Sequence, residues 1–147
     1  MSRLRLAAVA AIACLAVTAA VAVAVAATPK AGTFKAPKGQ VQRGYDLKFT
    51  VAKGGKKITK VVANVLETCS GESTSRTVTV GPGLTWAVKG GKFSGRKKES
   101  ADGVTVYTTL KGSFTSPTTA KGIIRQESIV AGSTCDTYEL KFTAKRG

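Results

Sequence analysis

Between Thr28 and Gly147, apolar and polar residues alternate at period two in one short run after another. Tyr45-Asp46-Leu47-Lys48-Phe49-Thr50-Val51 is the clearest case. Successive side chains of a strand point to opposite faces, so this pattern predicts a half-buried strand. Lys53-Gly54-Gly55-Lys56 follows as a hairpin signal, because Gly-Gly supplies the positive φ angles of a two-residue turn. A return strand is expected from Lys57 to about Leu66. Within it Val61, Val62, Val65 and Leu66 break the alternation, which predicts either cover on both faces or a bulge that re-phases the strand.

Further along, Arg76–Val80 and Leu84–Val88 alternate on either side of the turn Gly81-Pro82-Gly83. Gly90-Gly91 introduces Lys92–Lys98, and Ala101-Asp102-Gly103 turns the chain into a strand carrying Val104, Val106, Thr108 and Leu110 on one face and continuing through Phe114. Pro117 ends it. A strand is then expected over Ala120–Val130, a turn over Ala131–Thr134, and a last inward face of Tyr138, Leu140, Phe142 and Ala144. With the edge-like piece Gly32–Ala36, this makes seven to nine short strands. No window past Ala27 has a helical period, and the Thr, Val and Gly content opposes helix. Short strands at these turn spacings predict an all-β protein: an antiparallel β-sandwich of immunoglobulin-like type, with a small β-barrel as the alternative. Gly-x-Phe recurs at Gly32, Gly91 and Gly112, the pattern of a core Phe just inside a strand.

The first 27 residues break this picture. Arg3 and Arg5 precede an uninterrupted Ala/Val-rich run from Leu6 to Ala27, with A-x-A-like sites ending at Ala26 or Ala27. That is the layout of a secretory signal peptide, so a single β domain of residues 28–147 is expected outside the cytoplasm. The run is long for a signal core and approaches the ~20 residues that cross a bilayer, so a retained membrane anchor over residues 6–27 is the alternative. A lipid anchor on Cys14 would leave Leu15–Ala27 in water, which argues against it.

Export changes the meaning of the cysteines. Past residue 27 only Cys69 and Cys135 remain, and in an oxidising compartment they are expected to be bridged. It also changes the meaning of the charge. Residues 28–147 keep 21 of the 23 basic side chains and all eight acidic ones, a net +13. Such a chain attracts polyanions, and outside the cell these are envelope polymers and acidic glycans. Three groups of basic residues are candidate contacts: Lys53, Lys56 and Lys57 around the hairpin, the run Arg96, Lys97 and Lys98, and Lys141, Lys145 and Arg146 near the C-terminus. The competing role is protection, since Lys on an exposed strand edge stops edge-to-edge pairing. Nucleic acid fits less well: single-strand platforms interleave aromatics with charge, whereas the aromatics here fall on core positions. Trp86, the only tryptophan, is expected in the core, with sugar stacking as its functional alternative.

Phe93-Ser94-Gly95, Gly112-Ser113-Phe114-Thr115-Ser116, Ala120-Lys121-Gly122, Cys135 and Phe142-Thr143-Ala144-Lys145-Arg146 resemble the layout of small secreted bacterial β-sandwich proteins of uncharacterised activity. The resemblance implies export and the β fold, and brings no catalytic residue with it.

Catalytic chemistry finds no foothold in the composition. The chain has no His, which excludes Ser-His-Asp, Cys-His and His-metal sites together. Carboxylate chemistry would have to come from Asp46, Glu67, Glu72, Glu99, Asp102, Glu127, Asp136 and Glu139, most of them expected in turns or on outer faces beside Lys, as Glu139 is with Lys141. No run of closely spaced acidic residues makes a Ca²⁺ loop. The expectation is a non-catalytic binding or structural module without cofactor or metal, contacting an anionic envelope polymer through basic loops. A protein- or carbohydrate-recognition domain using strand edges or Trp86 comes second, and an enzyme third.

Overall fold

The computed structural model describes residues 26–38, 41, 46–70, 75–81 and 83–147. The expected signal segment lies outside them except for Ala26 and Ala27. Among the described residues there are ten strands and no helix: β1 Gly32–Ala36, β2 Leu47–Val51, β3 Lys57–Cys69, β4 Ser75–Val80, β5 Trp86–Lys89, β6 Lys92–Ala101, β7 Val104–Ser116, β8 Thr119–Val130, β9 Ser133–Asp136 and β10 Leu140–Arg146. The all-β, antiparallel class expected from the alternation is what the structure shows.

All ten strands belong to one sheet, and every pairing is antiparallel. The order runs β1-β2-β3-β5-β6-β7-β8, and β10 pairs with both β8 and β1, so the ladder returns to its start. A second, shorter circuit forms where β9 bridges the far ends of β8 and β3. β4 pairs with β3 alone.

The strand sequences account for this arrangement. β3 contains a bulge: partners step from Lys48↔Val62 to Thr50↔Thr59, and Lys60 takes a positive φ of 49°. The extra residue resets the phase, so Ile58, Val61, Ala63 and Val65 all point inward. A bulge is present and re-phases the strand between Ile58 and Val61, but past it the alternation is strict, and Val62 and Leu66 lie half-buried on the opposite face. The β2–β3 connection is longer than the expected two-residue turn. Gly55 N–H donates to the Ala52 carbonyl at 3.0 Å, and Ala52 N–H donates to Lys57 at 2.9 Å.

The inward face is a phenylalanine cluster. Phe34 stacks on Phe49 at 5.4 Å, and Phe114 meets Phe34 and Phe93 edge-on at 5.4 and 5.5 Å, while Phe142 meets Phe49 at 6.1 Å. The three Gly-x-Phe repeats therefore deliver Phe34, Phe93 and Phe114 to one core. Gly112 and Gly122 face each other across β7 and β8, and a Cβ on Gly112 would lie 2.7 Å from the Phe93 ring. The absent side chains leave the space those rings fill.

Two expectations about the chain's end are corrected. Ala131–Thr134 is not all turn: only Ala131 and Gly132 take positive φ, and Ser133 already starts β9. Tyr138 does not share the inward face of Phe142 and Ala144. It sits at φ 56°, 66% exposed, just before β10.

Candidate functional site

Cys69 and Cys135 form a disulfide, 66 residues apart in sequence, across a directly opposed β3–β9 pair. The bridge fixes the second circuit, and Glu67 lies two residues before it on the same inner face. Glu67 corrects the outer-face expectation for the carboxylates, since it is fully buried. Its Oε1 accepts from Ser128 Oγ at 2.8 Å and Gln126 Nε2 at 3.3 Å, which ties β3 to β8. A buried carboxylate requires such donors. Thr108, also buried, has no hydrogen-bond partner for its hydroxyl among the described residues.

The outer face of the same end carries a second polar group. Arg125 grips Asp136 with two hydrogen bonds, Nε to Oδ1 at 2.9 Å and one further to Oδ2. Glu127 bridges Arg125 at 3.3 Å and Arg96 at 3.0 Å. Burial pushes the Asp136 carboxyl up, but the Arg125 hydrogen bond, the Tyr138 N–H and the Arg125 charge together hold it below the usual carboxylate range. The same hydrogen bond raises Arg125.

These contacts decide the standing of the run Arg96–Lys98. Strand alternation divides it: Arg96 and Lys98 lie outward around Tyr107, with the Arg96 guanidinium 4.1 Å from the ring centre, and Lys97 points to the opposite face. Arg96 is already neutralised by Glu127. From Ser94 onward β6 pairs with β7 on one side only, so the run occupies an edge, where charge suppresses pairing with another chain. Lys53, Lys56 and Lys57 are exposed at the β2–β3 hairpin and form no ion pair among the described residues. Trp86 is 1% exposed, and its Nε1 donates to the Gly95 carbonyl at 2.9 Å, so its ring packs the core and offers no face to a sugar.

A cationic arrangement of a different kind lies on β2, β1 and β10. Lys48 is directly opposite Lys35, and Lys35 is directly opposite Lys145. All three are exposed. Adjacent strands lie ~4.8 Å apart, so the three lysines make a row of charges across the strands at about that spacing. The remaining outward positions of these strands are Thr33, Thr50, Lys141 and Thr143, with no carboxylate. Lys121 follows on β8, opposite Thr143, and Lys111 on β7. A groove of about 310 Å³ opens beside the row, lined by Lys35, Lys38 and Lys48 with Asp46, Val62 and Asn64. Arg146 is held differently, its Nε donating to the Ala31 carbonyl at 2.8 Å.

Like charges directly opposed on a sheet are destabilising. Edge protection does not explain them here, because β1, β2 and β10 are each paired on both sides. The row is therefore a cost that folding alone does not require. Among the described residues no group of three or more acidic, Cys or His side chains could hold a metal, and no helix is long and apolar enough to cross a membrane. Protein-family models, curated proteins and solved structures return no match to this chain. The class is thus defined by fold and surface alone: an antiparallel all-β domain closed by one disulfide, with a lysine row on doubly paired strands.

Proposed function

We propose that this protein is an extracytoplasmic, non-catalytic module that binds a linear polyanion of the cell envelope. The observation that carries the reading is the row Lys48, Lys35 and Lys145, held in register on three doubly paired strands whose outward positions carry no carboxylate, with Asp46 beside it in the groove and accepting from Asn64 Nδ2 at 3.4 Å. A polymer bearing carboxylate or phosphate groups about 5 Å apart, lying across the strands, meets one ammonium per strand. Binding releases its condensed counterions, and the lysine repulsion becomes an attraction. Lys38 and the groove beside the row receive a group protruding from the polymer. The disulfide supports an oxidising location.

The test compares binding to isolated cell envelopes over a salt series for the wild type, K35E/K48E/K145E and K53E/K56E/K57E. The two triple variants carry the same net charge. Loss confined to the row variant is the expected result. Equal loss in both would reduce the interaction to overall charge, and binding indifferent to salt and to both variants would overturn the reading.

A further inference from the structure

The cationic surface does not end at Lys145. Lys145 is opposed by Thr119 on β8, and Lys121 stands two residues further along the same outward face, opposite Thr143. Diagonal neighbours of this kind lie ~7–8 Å apart. Lys121 is directly opposite Ser113 on β7, and Ser113 is directly opposite Lys92 on β6. Lys111 shares the outward face of Ser113, two residues before it. Lys92, Lys111 and Lys121 are exposed, and none forms an ion pair among the described residues. Three ammonium side chains therefore surround Ser113, whose hydroxyl makes no hydrogen bond with another described residue. A recess of about 350 Å³ opens there, lined in part by Lys92, Ser94, Lys111 and Ser113. Hydroxyl and ammonium donors set this close suit a phosphate or carboxylate group.

Edge protection does not explain this cluster either. Lys92 is paired to β5 and β7, Ser113 to β6 and β8, and Lys121 to β7 and β10. The outward positions next to them are Lys89, Ser94, Thr115, Thr119, Ile123 and Thr143, again with no carboxylate. The ladder is closed, so β1 and β6 stand four strands apart in either direction. Phe34 beside Lys35 and Phe93 beside Lys92 both pack on Phe114, so the two lysines leave opposite sides of one core. A stiff chain lying on Lys35 passes Lys92 by, whereas a flexible one bends round to it. We infer that the bound polyanion is a flexible chain that winds round the closed sheet, from Lys48 through Lys35, Lys145 and Lys121 to the cluster of Lys92 and Lys111 about Ser113. The track crosses six adjacent strands, β2, β1, β10, β8, β7 and β6, a path of roughly 24 Å at ~4.8 Å per strand. This deepens the reading of the lysine row above and rests on it.

The experiment titrates the protein over a salt series with linear oligomers of glutamate and of glycerol phosphate, each bearing about three or about twelve charges; the slope of log affinity against log salt counts the contacts made. A short oligomer covers three lysines and a long one all six, so the long oligomer is expected to give about twice the slope. The two chemistries tell carboxylate from phosphate. K92Q/K111Q/K121Q, all on exposed positions, should bring the long oligomer's slope down to that of the short one and leave the short one's slope unchanged. A DNA duplex of similar charge, stiff over ~150 base pairs, should keep its slope in this variant. Equal slopes for both lengths, or a long-oligomer slope that the variant does not change, overturns the inference and leaves the row as the whole site. A duplex slope that falls as far as the flexible chain's overturns the winding. Absence of binding by every oligomer would overturn the row reading, and the inference with it.

Discussion

Gly112→Ala places one methyl group where the core has no room for it. Gly112 and Gly122 are opposed on the inner face of β7 and β8, and the new Cβ would overlap the Lys121 carbonyl oxygen and lie 2.7 Å from Phe93 Cζ and 2.9 Å from Gly122 Cα. Two of these three neighbours are main chain, which cannot swing aside as a surface side chain does. Overpacking of this kind costs roughly 1–3 kcal/mol, and obstruction by backbone puts the value near the top of that range. Alanine returns about 0.5–1 kcal/mol by restricting the unfolded chain. The expected net loss is about 2 kcal/mol, or a melting temperature lower by ~8 °C for a domain of this size. Urea unfolding reads it as a lower midpoint at unchanged slope. Gly103→Ala is the comparison, because its φ of 76° is strained for alanine but nothing lies within 4 Å of its Cβ. It should lose only about 1 kcal/mol. A Gly112→Ala protein as stable as the wild type would refute the reasoning that the glycine pair makes room for the phenylalanine cluster.

Two further outcomes follow from the disulfide end of the molecule. Replacing both Cys69 and Cys135 by Ala, or reducing the bridge, should cost about 4 kcal/mol for a 66-residue separation, measured as a shift of the urea midpoint; a midpoint indifferent to reductant would contradict it. The Asp136 carboxyl is held below its ordinary value, so its contribution is present above about pH 4 and disappears as pH falls through the lower folded-state value. Asp136→Asn should therefore be less stable at neutral pH by about 1 kcal/mol, discounted for the partial exposure of Arg125, and should flatten the acid limb. An unchanged acid limb would show that Asp136 does not report on folding.

The strands and most turns were legible in the sequence because they rest on local rules: period two, and turn residues between runs. The bridge between Cys69 and Cys135 was legible because only two cysteines remain past the apolar segment. Glu67 could have been found, since a bulge at Lys60 puts Val61, Ala63, Val65, Glu67 and Cys69 on one face. Taking β3 to end near Leu66 hid that parity. Alternation alone also divides Arg96 and Lys98 from Lys97. The lysine row was not legible in the same way. Lys48 and Lys35 are joined by β1 pairing with β2, but Lys145 arrives from the far end of the chain only because β10 closes onto β1. That closure has no local signature. β9 was missed because Ala131-Gly132 makes a tighter turn than four small and polar residues suggest.

The most direct test of the account is the salt slope of binding to a defined linear polyanion whose charges repeat at about 5 Å, for the wild type and for Lys35→Gln. Lys35 lies at the centre of the row, opposed by Lys48 on one side and Lys145 on the other. The slope of log affinity against log salt is expected to fall by about one with this single neutral change, and Lys53→Gln at the hairpin to leave it unaltered. Identical slopes for the wild type and Lys35→Gln would contradict the claim that the row is the binding site.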